Sequence, residues 1–225
     1  MKLELSRRAA AEFLGTAFLL AIVVGSGIMG ERLAGGNEAV TLLANTLATG
    51  AGLVALILAF GGLSGAHFNP VVSLLQSFGR ELPWSELAVY VLAQVAGAFV
   101  GVATAHVMFG LPLFFASERA RSSPGELLGE VVATFGLLVT IGCVARKRPE
   151  SIPVAVGAYI TAAYWFTSST SFANPAVTLA RAATNTFAGI RPADAPGFVL
   201  AELAGASLAT AFLRWLIRRS PVVGG

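Results

Sequence analysis

Residues 171–181 read SFANPAVTLAR, and residues 66–76 read AHFNPVVSLLQ. Each places a polar Asn-Pro pair inside a very apolar chain, at the head of a short helix-like run. Asn is a favourable N-cap, and Pro suits the first helical position, where its missing N–H costs nothing. Asn69-Pro70 and Asn174-Pro175 therefore predict two helix starts, leading short apolar segments over 69–78 and 174–187. At 1.5 Å per residue a ten-residue helix covers only about half of a ~30 Å hydrocarbon core. Neither segment can cross a bilayer alone.

The surrounding chain can. Of 225 residues, 56% are hydrophobic and 12% charged, and the mean hydropathy is +0.76. Soluble domains carry about a quarter charged residues, so most of this surface faces lipid. Six apolar runs are long enough to span, over 9–29, 40–61, 85–109, 127–145, 152–167 and 196–217. The alternating segments of a β-barrel are absent, so the fold class expected is an all-α membrane protein. The N-terminal run continues to Met29, too long for a signal-peptide core, and is read as the first span. Cys143 is the single cysteine and is expected as a small buried hydrophobe. His67 and His106 stand alone, without metal-ligand spacing, and no cofactor is expected.

The net charge is +3. It is read as loop charge that orients the chain in a bilayer rather than as a nucleic-acid surface. Lys2, Arg7, Arg8, Arg80, Arg146, Lys147, Arg148, Arg214, Arg218 and Arg219 fall on one side of a six-span arrangement. Arg32, Arg119, Arg121, Arg181 and Arg191 fall on the other. The positive-inside rule then places both termini in the cytoplasm, and the inner membrane is the expected location.

The chain also repeats itself. Glu12-Phe13-Leu14-Gly15-Thr16 resembles Glu130-Val131-Val132-Ala133-Thr134, the Asn-Pro segments follow the second and fifth spans, and VLAQVAGA at 91–98 resembles VLAELAGA at 199–206. The matches recur in one order. Three spans per half invert the second half, giving a single transmembrane domain over 1–225 with inverted halves of approximately 1–110 and 125–225. One short helix then enters from each side, and their N-termini meet near the midplane. Irregular backbone at that depth is tolerated only where protein or a watery path surrounds it. Gly65, Ala66 and His67 before the first pair, and Phe172 and Ala173 before the second, are expected to be that backbone, lining the path. Facing helix N-termini repel cations but let a neutral hydrogen-bonding solute through. The Asn69 and Asn174 amides can donate to its oxygen. Gly97-xxx-Gly101 and Ala201-xxx-Gly205 read as close-packing helix faces.

These motifs resemble the aquaporin/aquaglyceroporin (major intrinsic protein) family over essentially the whole chain. Its paired boxes correspond to Asn69-Pro70-Val71 and Asn174-Pro175-Ala176, the first in the specific context SGAHFNP. The resemblance implies a six-helix channel with two re-entrant half-helices, assembled as a homotetramer in the lipid bilayer and passing small-molecule permeants without catalysis. It also implies that Glu12 and Glu130 hold the re-entrant loops through backbone N–H groups; a proton relay is the rival role.

By the family's spacing, the narrowest point falls on Thr49, Ala162, Ser171 and Val177, with Val177 where relatives usually carry arginine. A one-residue slip would select Thr161 or Ala163 instead of Ala162. All four residues are small and uncharged, which suggests a wide pore for water, glycerol, urea and undissociated metalloid hydroxides. The pattern further resembles a bacterial aquaglyceroporin subgroup of arsenic-resistance operons, which implies arsenite and methylated arsenicals as permeants. Arg181, four residues after Val177 and on the same helix face, either attracts anions in an outer vestibule or binds helix-end carbonyls or faces headgroups. Two rivals are discriminated by function. A water-selective channel would show a small solute cutoff, and a coupled transporter would accumulate solute against its gradient.

Overall fold

The computed structural model describes residues 3–217. Lys2, Arg218 and Arg219, three of the charges used to orient the chain, lie outside them. The described chain folds into helices in the order α1 Leu5–Leu33, α2 Glu38–Ser64, α3 Pro70–Phe78, α4 Trp84–Met108, α5 Pro124–Val144, α6 Ile152–Phe166, α7 Pro175–Arg181 and α8 Ala195–Leu216. A 3₁₀ turn, Pro149–Ser151, leads into α6. There is no strand among the described residues.

Local chemistry sets the boundaries. The Asn37 side chain accepts from the N–H groups of Ala39 and Val40 and starts α2. Ser123 and Glu126 form a reciprocal capping box at the head of α5, with Pro124 at its first position. Helices α1, α2, α4, α5 and α8 are each long and apolar enough to cross a bilayer. The sixth expected span, α6, has 15 residues, about 22 Å of helix, and is the shortest of the six. The second short segment was expected to run to 187, but α7 ends at Arg181. Beyond it the chain turns back, and the Ile190 N–H donates to the Arg181 carbonyl.

The repeat seen in the sequence returns as packing. Helix α1 packs on α2 and α4, α5 packs in the same way on α6 and α8, and the halves meet where α2 crosses α6. Glycines permit the tight crossings. A Cβ at Gly97 or Gly101 would collide with the Phe13 or Ala17 carbonyl of α1, and one at Gly205 with the Val131 carbonyl of α5. Small residues let backbones approach where lipid supplies no hydrophobic drive for association. Large apolar side chains such as Leu58, Leu92 and Leu200 point outward, as suits a chain whose solvent is hydrocarbon. Cys143 follows them. It is exposed on α5 rather than buried, because in a membrane an apolar side chain need not turn inward.

Candidate functional site

The two quoted stretches converge on one cavity of about 110 Å³, lined by residues of both halves of the chain. Each Asn caps its half-helix. The Asn69 oxygen accepts from the Val71 N–H at 3.0 Å. The Asn174 oxygen accepts from Ala176 and Val177 at 3.0 and 3.3 Å. The amide nitrogens then cross over: Asn69 Nδ2 donates to the Ala173 carbonyl at 2.7 Å, and Asn174 Nδ2 to the Phe68 carbonyl at 2.8 Å. This reciprocal pair brings the N-termini of α3 and α7 together. Each NH₂ group has two hydrogens, so one per Asn remains for the cavity that both residues line.

The backbone before each box is held in an unfavourable conformation. Ala66 and Phe68 have φ of 49° and 50°, and their counterparts Ser171 and Ala173 have 50° and 47°. A non-glycine residue there costs about 1–2 kcal/mol. Buried carboxylates hold both loops. Glu12 Oε1 accepts from Ser64 Oγ at 2.6 Å and His67 N at 3.0 Å; Oε2 accepts from Phe68 N at 2.7 Å and Gln94 Nε2 at 2.8 Å. Glu130 accepts from Phe172 N at 2.8 Å and Ala173 N at 2.7 Å. A third carboxylate was not singled out from the sequence: Glu202 Oε1 accepts from Asn174 N at 3.1 Å and Thr178 Oγ1 at 2.6 Å. The signal was present in the repeat, where Glu202 occupies the place of Gln94.

Of the four ring positions expected from the sequence, Thr49, Ser171 and Val177 line the cavity. Ala162 does not; it is exposed on the outer face of α6. Ile152, Val156, Ile160 and Tyr164 line the cavity from that helix, the four-residue recurrence of one helical face. Ala162 lies two residues, about 200°, from Tyr164 around the axis, and the neighbouring choices Thr161 and Ala163 are also absent from the lining. Tyr164 OH donates to Thr49 Oγ1 at 3.3 Å, so an aromatic side chain closes one wall of the ring expected to be small throughout. The Ser171 hydroxyl is buried without a protein partner.

Gly65, Ala66, His67, Phe172 and Ala173 line the same cavity. His67 is not isolated: its Nδ1 lies 3.0 Å from Ser73 Oγ. His106 is buried away from the cavity and bridges the Leu113 carbonyl and Thr184 Oγ1. Arg181, the last residue of α7, also lines the cavity. In the loop before α5, the Arg121 side chain donates to the Gly189 and Ser169 carbonyls. Burial pushes the Arg121 guanidinium down to about 10, so it remains charged at neutral pH.

The comparisons with known proteins agree with this geometry. The model of the family described as major intrinsic protein matches residues 1–173. Aquaglyceroporin AqpS of Rhizobium meliloti (strain 1021) is 56% identical over 215 residues, covering 96% of this chain and 92% of that protein. Aquaporin NIP1-1 of Zea mays is 35% identical over 155 residues, 67% of this chain and 54% of that protein. The X-ray structure of the aquaglyceroporin from Plasmodium falciparum shares the fold, with a TM-score of 0.74 at 22% identity over 94% of this chain and 95% of that one. A multi-pass helical architecture, paired Asn-Pro half-helices around a central cavity and these relatives lead to one conclusion: the chain belongs to the major intrinsic protein family of membrane channels and is not an enzyme.

Proposed function

We propose that this channel passes uncharged solutes larger than water, among them glycerol, urea and undissociated metalloid hydroxides such as arsenite, passively and down their gradients. One observation carries the reading: the residue following the second box is Val177, a short apolar side chain lining the cavity, with Thr49 and Ser171 as small neighbours. A tight water filter needs a bulky donor at that point, and the position offers none. The Ser171 hydroxyl and the spare Asn69 and Asn174 hydrogens supply hydrogen bonds to a solute's oxygens. The proposal extends to one channel domain with inverted halves, both termini in the cytoplasm, an inner-membrane location and a homotetrameric assembly. The excess of basic residues on one side supports the orientation; the family supports the assembly.

Tyr164 favours a second reading. An aromatic wall hydrogen-bonded to Thr49 narrows the ring relative to four small residues, as a water-selective channel requires. Stopped-flow light scattering on proteoliposomes separates the two. The wide-pore reading expects protein-dependent flux of glycerol, urea and arsenous acid as well as water. Water flux with impermeable glycerol would overturn it.

A further inference from the structure

Arg181 ends α7 and lines the cavity, yet it is only 2% exposed. Its Nε donates to the Ala188 carbonyl, and its guanidinium carbon lies 3.3 Å above the centroid of the Phe172 ring. Among the described residues no carboxylate pairs with it, and no hydrogen bond engages Nη1 or Nη2. A buried guanidinium ordinarily has its donors satisfied, so this one is fixed in direction with its outer edge open. Long helical side chains lean toward the N-terminus of their helix, which carries the charge back toward the Val177 ring. The Arg121 guanidinium lies 5.1 Å from the same Phe172 ring, held by carbonyls alone, so a second cation reinforces the first. The matching position in the other half, seven residues after its Asn, is Gln76. It lines the cavity as a neutral amide, so the charge belongs to the α7 end only.

We propose that Arg181 supplies, one helical turn beyond the ring, the fixed positive charge that Val177 does not. Its two open Nη groups hydrogen-bond neutral solutes bearing several oxygens, while its charge turns cations away. The fork geometry of guanidinium suits paired oxygens, as a point charge does not. The solute preference rests on the broad-solute reading above; the exclusion of cations does not.

The test uses proteoliposomes of the wild-type chain, Arg181→Met and Arg181→Lys, with elution profile and circular dichroism reporting folding. Glycerol and urea fluxes are measured together with proton leak under an imposed potential. Arg181→Met is expected to raise proton leak about tenfold or more, the scale set by one unit charge at short range in a partly wet path, and to lower the glycerol-to-urea flux ratio. Arg181→Lys should keep the exclusion and lose the ratio. A folded Arg181→Met protein with wild-type leak and wild-type ratio overturns the proposal. If Arg181→Met does not fold, Arg181→Lys decides: a changed ratio supports the fork, and an unchanged ratio overturns it. Should the wild-type chain pass water and no glycerol, the broad-solute reading falls, while the leak comparison still decides the role of the charge.

Discussion

The first half of the molecule anchors its re-entrant loop with one carboxylate and an amide; the second uses two carboxyl groups. In the first, Gln94 Nε2 donates to both Glu12 and Ser73 Oγ, the latter at 2.9 Å. In the second, Glu202 stands where Gln94 does and takes the Asn174 N–H and the Thr178 hydroxyl as an acceptor. Ser73 and Thr178 are themselves counterparts, four residues after each Asn. The frame is thus repeated while the chemistry at equivalent points differs. The lesson is that symmetry fixes where a polar group must sit, because the left-handed loop backbone leaves N–H groups without helical partners. Which polar group sits there is free to vary, provided those N–H groups are met.

That comparison can be broken by deletion. Glu12→Ala orphans the His67 and Phe68 N–H groups, which at 1–3 kcal/mol each is expected to cost about 2–6 kcal/mol before the lost Ser64 and Gln94 contacts are counted. Glu130→Ala orphans the Phe172 and Ala173 N–H groups but leaves Glu202 beside them, so its cost should be clearly smaller. Thermal denaturation in detergent ranks the two. Equal losses would show that Glu202 lends the second loop nothing. A folded, fully stable Glu12→Ala protein lacking only proton-dependent flux would instead make the glutamates a relay.

At the ring, the halves can be forced apart. Val177→Arg places an always-charged bulky group in the path and should slow glycerol by about tenfold or more, with water much less affected. Val177→Ala should leave glycerol flux intact or raise it. If a folded Val177→Arg protein keeps its solute selectivity, Val177 does not line the constriction. Tyr164→Ala should relax the size cutoff, detected as faster entry of solutes larger than glycerol. Ala162→Leu, on the outer face of α6, should change no flux, and a narrowed cutoff there would restore the all-small ring.

The smallest change should be Glu202→Gln. It copies Gln94 into the second half, keeping an oxygen for Asn174 and Thr178 and adding a donor toward Glu130. Stability within about 1 kcal/mol of wild type is expected, the net scale of one hydrogen bond. Glu202→Leu, which offers no acceptor, should be far worse. If Gln is as damaging as Leu, the two anchors are not chemical equivalents.

Much of this molecule was legible in its residues. Membrane class, helical spans to within a few residues and the Asn-Pro starts of α3 and α7 follow from composition and local chemistry, which act over one or two turns. The pairing of halves followed from repeated polar anchors, and the family followed from the two boxes in their context. What lay beyond reach depended on how helices rotate against one another. Whether Ala162 or Tyr164 meets the path is a question of helix phase about one axis, and α6 is apolar nearly all round, so its pattern carries no phase. Glu202 was visible as an echo of Gln94, but its partners, Asn174 and Thr178, lie 28 and 24 residues away in the chain. The Phe172 ring against Arg181 comes from the segment before α7, and the Ala188 carbonyl that Arg181 meets comes from the loop folding back after it. Local sequence determined the pieces because backbone and capping energies are local; only tertiary packing decided which faces meet the pore, because that choice is made by the neighbours.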